Sequence, residues 1–156
     1  MKKALASIVL GLASAAAFAW PTKTVTIVVP FPPEGSTDMI ARIISAQLGA
    51  KIGGTVVVDN KGGATGTIGT AQVARSAPDG YTLLVSSLGP FVIAPHLMKV
   101  QYDALKDLDP ITVAVQAPNV LVVPAASRLK SLAEVLAFLK ANPGKMSFAS
   151  SGAGSS

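Results

Sequence analysis

The feature that most constrains the fold is an apolar run that passes through a proline- and glycine-rich loop into a helix pattern, over residues 25–42. Residues 25–31 are largely apolar on both faces, which is typical of a strand buried in a parallel sheet. Three prolines, Pro30, Pro32 and Pro33, end that strand because proline cannot donate to the ladder. Gly35 is then expected to give the backbone the freedom to turn sharply.

The helix after this loop is expected to be capped by Ser36 or Thr37, with Asp38 in its first turn. Its apolar residues fall on one stripe, formed by Met39, Ile40, Ile43, Ile44 and Leu48. A strand that feeds a helix in this way aims several free backbone N–H groups at one point. An anion such as a carboxylate fits there.

Residues 1–19 are predicted to be an export signal. Lys2 and Lys3 form a basic start, residues 4–18 are apolar, and Ala17-Phe18-Ala19 is a small-x-small cleavage pattern. A membrane anchor is the alternative, but the stretch is too short to span a bilayer and Pro21 follows it. The sequence therefore predicts a periplasmic protein that begins at Trp20 and is not stably inserted in a membrane after cleavage.

Charge and composition exclude several classes of function. The net charge of +5 falls to +3 without the two lysines of the signal, and the other basic residues are scattered, so no nucleic-acid partner is expected. The chain has no cysteine, and its one histidine, His96, cannot form a multi-histidine metal site. Neither a metal nor a cofactor is predicted.

Strand and helix patterns alternate along the chain. Further strands are predicted at residues 55–59 and 81–86, a helix capped by Thr67 runs to about Ser76, and a short helix is expected within residues 91–98. Alternating units of this kind predict an α/β protein with an open, mostly parallel sheet.

The pattern restarts near residues 99–109, which predicts a first lobe over residues 20–100 and the first half of a second lobe over 101–156. The second part contains a capping box, Ser131 with Glu134, that opens a helix. Strands are predicted at residues 111–116, 120–124 and 146–149. A serine–glycine loop at 150–156 should open a further helix, so we expect a truncated product or fragment with unpaired sheet edges.

The candidate site consists of loops that follow predicted strands. Three of them are rich in glycine or serine, at residues 31–38, 86–89 and 150–156, and a fourth at 61–66 precedes a helix. Such loops gather at the carboxyl edge of an open sheet, where ligands bind. They carry almost no side-chain charge, so neutral donors would hold a charged ligand. Each loop alone could be an ordinary turn, and it is the convergence of three that favours a site.

Catalytic motifs are weak. The glycines of residues 62–69 do not have dinucleotide-loop spacing, Ser127 and Lys130 form only a short SxxK pattern, and GxSxG is absent. His96 has no evident Ser or Asp partner. Asp38 could be a general base, although a first-turn helix acid is the commoner role. Glu34 places a negative charge in the loop that is expected to receive an anion, so either its side chain points to solvent or the ligand also carries a cationic group.

Six segments follow one another along the chain: VPFPPEGSTDMIAR, VVVDNKGGATGTIG, APDGYTLLV, PNVLVV, ANPGK and FASSGAGSS. In this order they resemble the Bug family, the periplasmic solute-binding proteins of tripartite tricarboxylate transporters. The resemblance implies a periplasmic-binding-protein-like fold of two α/β lobes with mostly parallel or mixed sheets, the second incomplete here. The lobes would close on a small carboxylate: a di- or tricarboxylate, an acidic amino acid or an aromatic acid.

The resemblance also implies the site residues. In the family, the loop after the first strand and the serine–glycine loop of the second lobe grip the ligand carboxylate through backbone amides, hydroxyls and ordered water. Carried over, these residues are Phe31, Pro32, Gly35, Ser36, Thr37, Asp38, Ser150, Ser151, Gly152, Gly154, Ser155 and Ser156, with Ser86 and Ser87 lining the cleft. Glu34 stands where the family usually has glycine, and Lys61-Gly62 where it usually has Arg-Pro. The chain ends about halfway through the family's length.

The leading hypothesis is a monomeric periplasmic binding protein without catalytic residues. It would close on its ligand and deliver it to integral-membrane transporter subunits. The alternatives are an exported serine hydrolase and a ligand sensor that docks on a membrane receptor. The missing nucleophile–base–acid set argues against the hydrolase, and the sequence does not separate transport from sensing.

Overall fold

The computed structural model describes residues 20–118, 120–147 and 149. Its elements are β1 (Val25–Val29), α1 (Ser36–Ile52), β2 (Val56–Asn60), a 3₁₀ turn (Ala64–Gly66), α2 (Thr67–Ala74), β3 (Thr82–Leu84), a π-helical turn (Gly89–Ile93), α3 (Ala94–Leu97) and α4 (Leu132–Ala141). The predicted export signal and the serine–glycine loop at 150–156 lie outside the described residues. Within the described part, no helix has the length and apolar character needed to cross a bilayer.

The three strands form one parallel sheet in the order β2-β1-β3, so β1 is central. Val25 is opposite Val56, and Thr26 is opposite Thr82. Both neighbours run parallel to β1, as the alternation of strands and helices predicts, because a helical connection returns the chain to the same end of the sheet. The predicted parallel sheet is confirmed in this part of the chain.

The core lies against the central strand. Ile27 and Val29 are fully buried on one face of β1 and cluster with Ala41 of α1, while Val28 is fully buried on the opposite face. Complete burial of side chains of this size stabilises the fold by about 1.5–3 kcal/mol each. The apolar character of both faces of this strand in the sequence is thus explained by burial on both sides.

The start of α1 differs from the prediction. Gly35 is the N-cap residue, with φ −75° and ψ 166°, so neither Ser36 nor Thr37 caps the helix and Gly35 does not occupy a glycine-requiring conformation. The left-handed residue is Glu34, with φ 70°. The loop turns one residue earlier than predicted, because the Glu34 amide turns inward to donate to the Asp38 carboxylate. Likewise Gly66, not Thr67, is the N-cap residue of α2.

The second part of the chain contains α4 but, among its described residues, no strand. The strands predicted at 111–116, 120–124 and 146–149 are therefore wrong for the residues described, and Ile111 and Val120 are 81% and 75% exposed. A strand needs a partner to satisfy its backbone, and sequence pattern alone does not provide one. The capping box is confirmed: the Ser131 hydroxyl accepts from the Glu134 amide at 3.3 Å, and the Glu134 carboxylate accepts from the Ser131 amide at 3.0 Å.

The chain that follows α3 is fastened back to the first sheet region. The Tyr102 side chain is 8% exposed, and its hydroxyl donates to the carbonyl oxygen of Pro90 at 2.5 Å. Arg75 also donates to the side chain of Gln101. Burial raises the pKa of the Tyr102 phenol. Gln101 is therefore anchored at the end of α2, and Tyr102 on the turn that follows β3.

Candidate functional site

Three loops leave the same edge of the sheet, because β1, β2 and β3 are parallel and end together. They are the β1–α1 loop (residues 30–35), the β2–α2 loop (61–66) and the β3 loop (85–88). The Lys61 amide donates to the Val29 carbonyl oxygen at 2.8 Å, and the Val85 amide to that of Val28 at 3.1 Å. The structure thus brings the predicted site loops at 31–38 and 86–89 together with the loop at 61–66. The remaining one, at 150–156, lies outside the described residues.

Close packing at Gly66 holds this edge together. A Cβ atom on Gly66 would lie 2.8 Å from Cγ of Pro90 and 3.1 Å from Cζ of Phe31, and Gly66 has φ 90°. The β2–α2 loop therefore contacts both the β1–α1 loop and the turn after β3, and only glycine fits there. The buried Thr70 hydroxyl donates to the Gly66 carbonyl oxygen at 2.8 Å and fixes the same point.

The start of α1 presents unused backbone donors at this edge. The first helical hydrogen bond runs from the Met39 amide to the Gly35 carbonyl oxygen, at 3.0 Å. Within the described residues, no acceptor is found for the amides of residues 35–38. Gly35 and Ser36 are exposed. The N-terminus of a 17-residue helix favours negative charge, so these amides can receive an anion.

Asp38 lies beneath the β1–α1 loop and is only 2% exposed. Its Oδ2 accepts from the Arg42 Nε and from the Glu34 amide, both at 2.9 Å, and its Oδ1 accepts from the Asn60 Nδ2 at 3.0 Å. The hydrogen bond from Arg42, with those from Glu34 and Asn60, lowers the pKa of this carboxyl from 3.8 to about 2. Both carboxylate oxygens are therefore engaged inside the protein.

Asn60 is a residue of this edge that the sequence reasoning missed. It ends β2, and its Nδ2 donates to the Phe31 carbonyl oxygen at 3.2 Å as well as to Asp38. Its Oδ1 accepts from the Arg42 Nη2 at 3.3 Å. The partners Asp38 and Phe31 are 22 and 29 residues away in the sequence. No local pattern marks such contacts, so only the fold reveals them.

The remaining predicted residues line the edge without strong side-chain chemistry. Ser86 and Ser87 are half-buried in the β3 loop, and the Ser86 hydroxyl donates to the Ser87 carbonyl oxygen at 3.3 Å. Lys61 pairs with Asp59, with 3.2 Å between Nζ and Oδ1. Glu34 is exposed, as is Leu88 of the β3 loop. The edge thus offers hydroxyls, backbone amides and an apolar border.

Comparison with known proteins is consistent with this architecture. The family described as the tripartite tricarboxylate transporter family receptor matches residues 40–156. Protein BugT of Bordetella pertussis is 43% identical over 138 residues, which cover 87% of this chain and 42% of BugT. The chain therefore spans less than half the length of this relative.

Two solved structures superpose on part of this chain. The structure of Rpa4515 of R. palustris with adipate superposes with a TM-score of 0.73 at 34% identity, covering 81% of this chain and 43% of that one. MatC of Rhodopseudomonas palustris with bound malate superposes with a TM-score of 0.54 at 43% identity, covering 56% and 30%. The predicted periplasmic-binding-protein-like α/β fold is confirmed, with the chain covering part of it.

Proposed function

Because this chain belongs to the tripartite tricarboxylate transporter receptor family, we propose that it is a periplasmic solute-binding protein for a small carboxylate-bearing metabolite. It would act as a monomer and deliver the ligand to integral-membrane subunits of a tripartite transporter. The observation that carries the proposal is the set of unused amides of residues 35–38, which converge with two other loops at one sheet edge. The relatives solved with malate and adipate support an acid as the ligand.

In this proposal, neutral groups hold the ligand carboxylate. A hydrogen bond to an ionised partner contributes about 1.5–3 kcal/mol, so three or four of them give the roughly 8 kcal/mol of micromolar binding. The described residues proposed to line this half of the site are Phe31, Pro32, Gly35, Ser36, Thr37, Ser86 and Ser87. The proposed partners from the second lobe are Ser150, Ser151, Gly152, Gly154, Ser155 and Ser156.

We propose no catalytic role for this edge. The Asp38 carboxylate, the nearest general-base candidate, is engaged by three internal donors, and its low pKa makes it a poor proton acceptor at neutral pH. Ligand capture would instead be coupled to closure, which a ligand drives only through contacts that are better in the closed state.

The test removes one amide donor without disturbing the helix. Ser36 is the first residue of α1, where proline is favourable, and Gly35 before it has the extended conformation that a following proline requires. Ser36→Pro therefore deletes an N–H that has no acceptor within the described residues, and Ser36→Ala is the control for the lost hydroxyl. Calorimetric titration of the chain should show malate or adipate binding about tenfold to a hundredfold more weakly to Ser36→Pro.

Two results would contradict the proposal. The first is the absence of binding heat for every acid in a panel that includes malate and adipate. The second is equal affinity of Ser36→Pro and the unmodified chain, with the melting temperature unchanged. Neutral diamides of the same acids should not bind, because they lack the charge that the helix start attracts.

A further inference from the structure

Asp38, Arg42 and Asn60 form a closed ring of hydrogen bonds beneath the β1–α1 loop. Arg42 donates to both of the others, and Asn60 donates to Asp38. The ring joins two successive turns of α1 to the last residue of β2. It thus adds a polar contact to the apolar packing of α1 against β2, where Val58 lies against the core cluster that contains Ala41.

The ring reaches the loop through two backbone groups. The Phe31 carbonyl oxygen accepts from Asn60, and the Glu34 amide donates to Asp38. Between these two attachments the loop is exposed, with Pro32, Pro33 and Glu34 all facing solvent. Glu34 also has a positive φ, a conformation that an L-residue keeps only when its surroundings enforce it. These two hydrogen bonds therefore hold Glu34 in its positive-φ conformation.

We infer that Asn60 is a positioning residue for ligand binding. It anchors the β1–α1 loop at Phe31 and orients the Asp38 carboxylate, so that the amides of residues 35–38 face one point, and the side chains of Asn60 and Asp38 do not touch the ligand. The inference rests on the proposed function, because it assigns these amides to the ligand. It also reassigns the Asp38 carboxylate from a direct contact to a support of the loop.

The chemistry of the position explains why the residue is an asparagine. The site demands two donors, for the Phe31 carbonyl and the Asp38 carboxylate, and one acceptor, for Arg42. An asparagine amide supplies these together. Aspartate has the same shape but would place acceptors against a carbonyl and a second carboxylate. Leucine would remove all three of these hydrogen bonds.

The experiment compares Asn60→Asp with Asp59→Asn in the full chain. Asp59 is the adjacent residue of β2, and its carboxylate pairs with Lys61 rather than with the ring, so Asp59→Asn is a control of equal size. The affinity for adipate and for malate is measured by calorimetric titration. The pKa of the Asp38 carboxyl and the exchange rate of the Glu34 amide proton are measured by NMR.

We expect Asn60→Asp to bind both acids about tenfold more weakly, because a misdirected amide loses roughly one charged hydrogen bond. The pKa of Asp38 should rise from its value of about 2, and the Glu34 amide should exchange faster. Asp59→Asn should change none of the three. A merely structural role would lower the melting temperature without moving the affinity measured well below it.

The inference is overturned if Asn60→Asp frees the Glu34 amide but leaves both affinities unchanged, or if the Glu34 exchange rate itself does not change. If the unmodified chain binds neither acid, the proposed function fails, and amide exchange alone decides whether Asn60 holds the loop. If Asn60→Asp does not fold, Asn60→Ser replaces it, because serine removes the bridge without adding a charge.

Discussion

Glu34 holds a left-handed backbone conformation, with φ 70°, inside the β1–α1 loop. Its side chain is exposed, and its amide donates to Asp38 through the backbone. Replacing it by glycine therefore changes the backbone energy of the folded state while leaving the hydrogen bond in place. We expect Glu34→Gly to be more stable than the unmodified chain.

The size of the gain follows from two opposing effects. Holding an L-residue in the left-handed region costs about 1–2 kcal/mol, and glycine removes that cost. Glycine also increases the conformational entropy of the unfolded chain, which offsets about 0.4–1 kcal/mol. The expected net increase in the free energy of unfolding is therefore about 0.8 kcal/mol at the midpoint of these ranges, with an upper bound of about 1.6 kcal/mol.

Urea unfolding followed by circular dichroism measures this difference, with Glu34→Gln and Glu34→Asn as controls. Glutamine removes the charge and keeps the strained conformation, so it should match the unmodified chain. Asparagine tolerates the left-handed region better than most residues and should fall between the two. If glutamine stabilises the chain as much as glycine does, the effect is one of charge and the reasoning from backbone strain is refuted.

Three further predictions concern the packing at Gly69, the titration of the two tyrosines and the acid stability of the chain. Gly69→Ala should cost about 1–3 kcal/mol of stability in urea unfolding, because its Cβ would lie 2.7 Å from the Lys61 carbonyl oxygen. Gly35→Ala should cost less, because the nearest atom to its Cβ lies 3.6 Å away. Equal costs of the two substitutions would contradict the packing. On titration with base, the absorbance of the phenolate should rise in two steps. The pKa of Tyr81 is lowered by its hydrogen bonds with Thr22, and the pKa of Tyr102 is raised by burial. Tyr102→Phe should remove the upper step. The Asp38 carboxyl has a folded pKa of about 2, below its ordinary 3.8, so its contribution to stability is present above pH 3.8 and is lost as the pH falls toward 2; acid titration of Asp38→Asn should lack this loss.

The central strand was predictable because its sequence leaves one physical solution. A run of five residues with apolar side chains on both faces can be buried only between two layers, and β1 is buried on both sides. Parallel pairing then brings the following loops to one edge without further information. The capping box of Ser131 and Glu134 was equally predictable, because all of its atoms lie within four residues.

The details of the site depend on contacts that no local pattern encodes. Gly35 was expected to make the sharp turn, yet the positive φ belongs to Glu34, because the Asp38 carboxylate draws its amide inward. Asn60 acquires its place only when β2 lies beside β1. For residues 111–124 the β-rich composition indicated a preference for extended backbone but not a strand partner. The described residues there have no strand partner, and propensity alone does not form a ladder.

The packing at Gly66 connects Tyr102 to the β1–α1 loop. Tyr102 is bonded to Pro90, the Pro90 ring abuts Gly66, and Gly66 abuts Phe31. These four positions are linked by contact: a larger residue at 66 would displace both rings at once, and loss of the phenol would remove a donor from the Pro90 carbonyl oxygen. We therefore expect lineages that replace one of them to carry a compensating change at another, so that the covariation of positions 31, 66, 90 and 102 records a mechanical coupling.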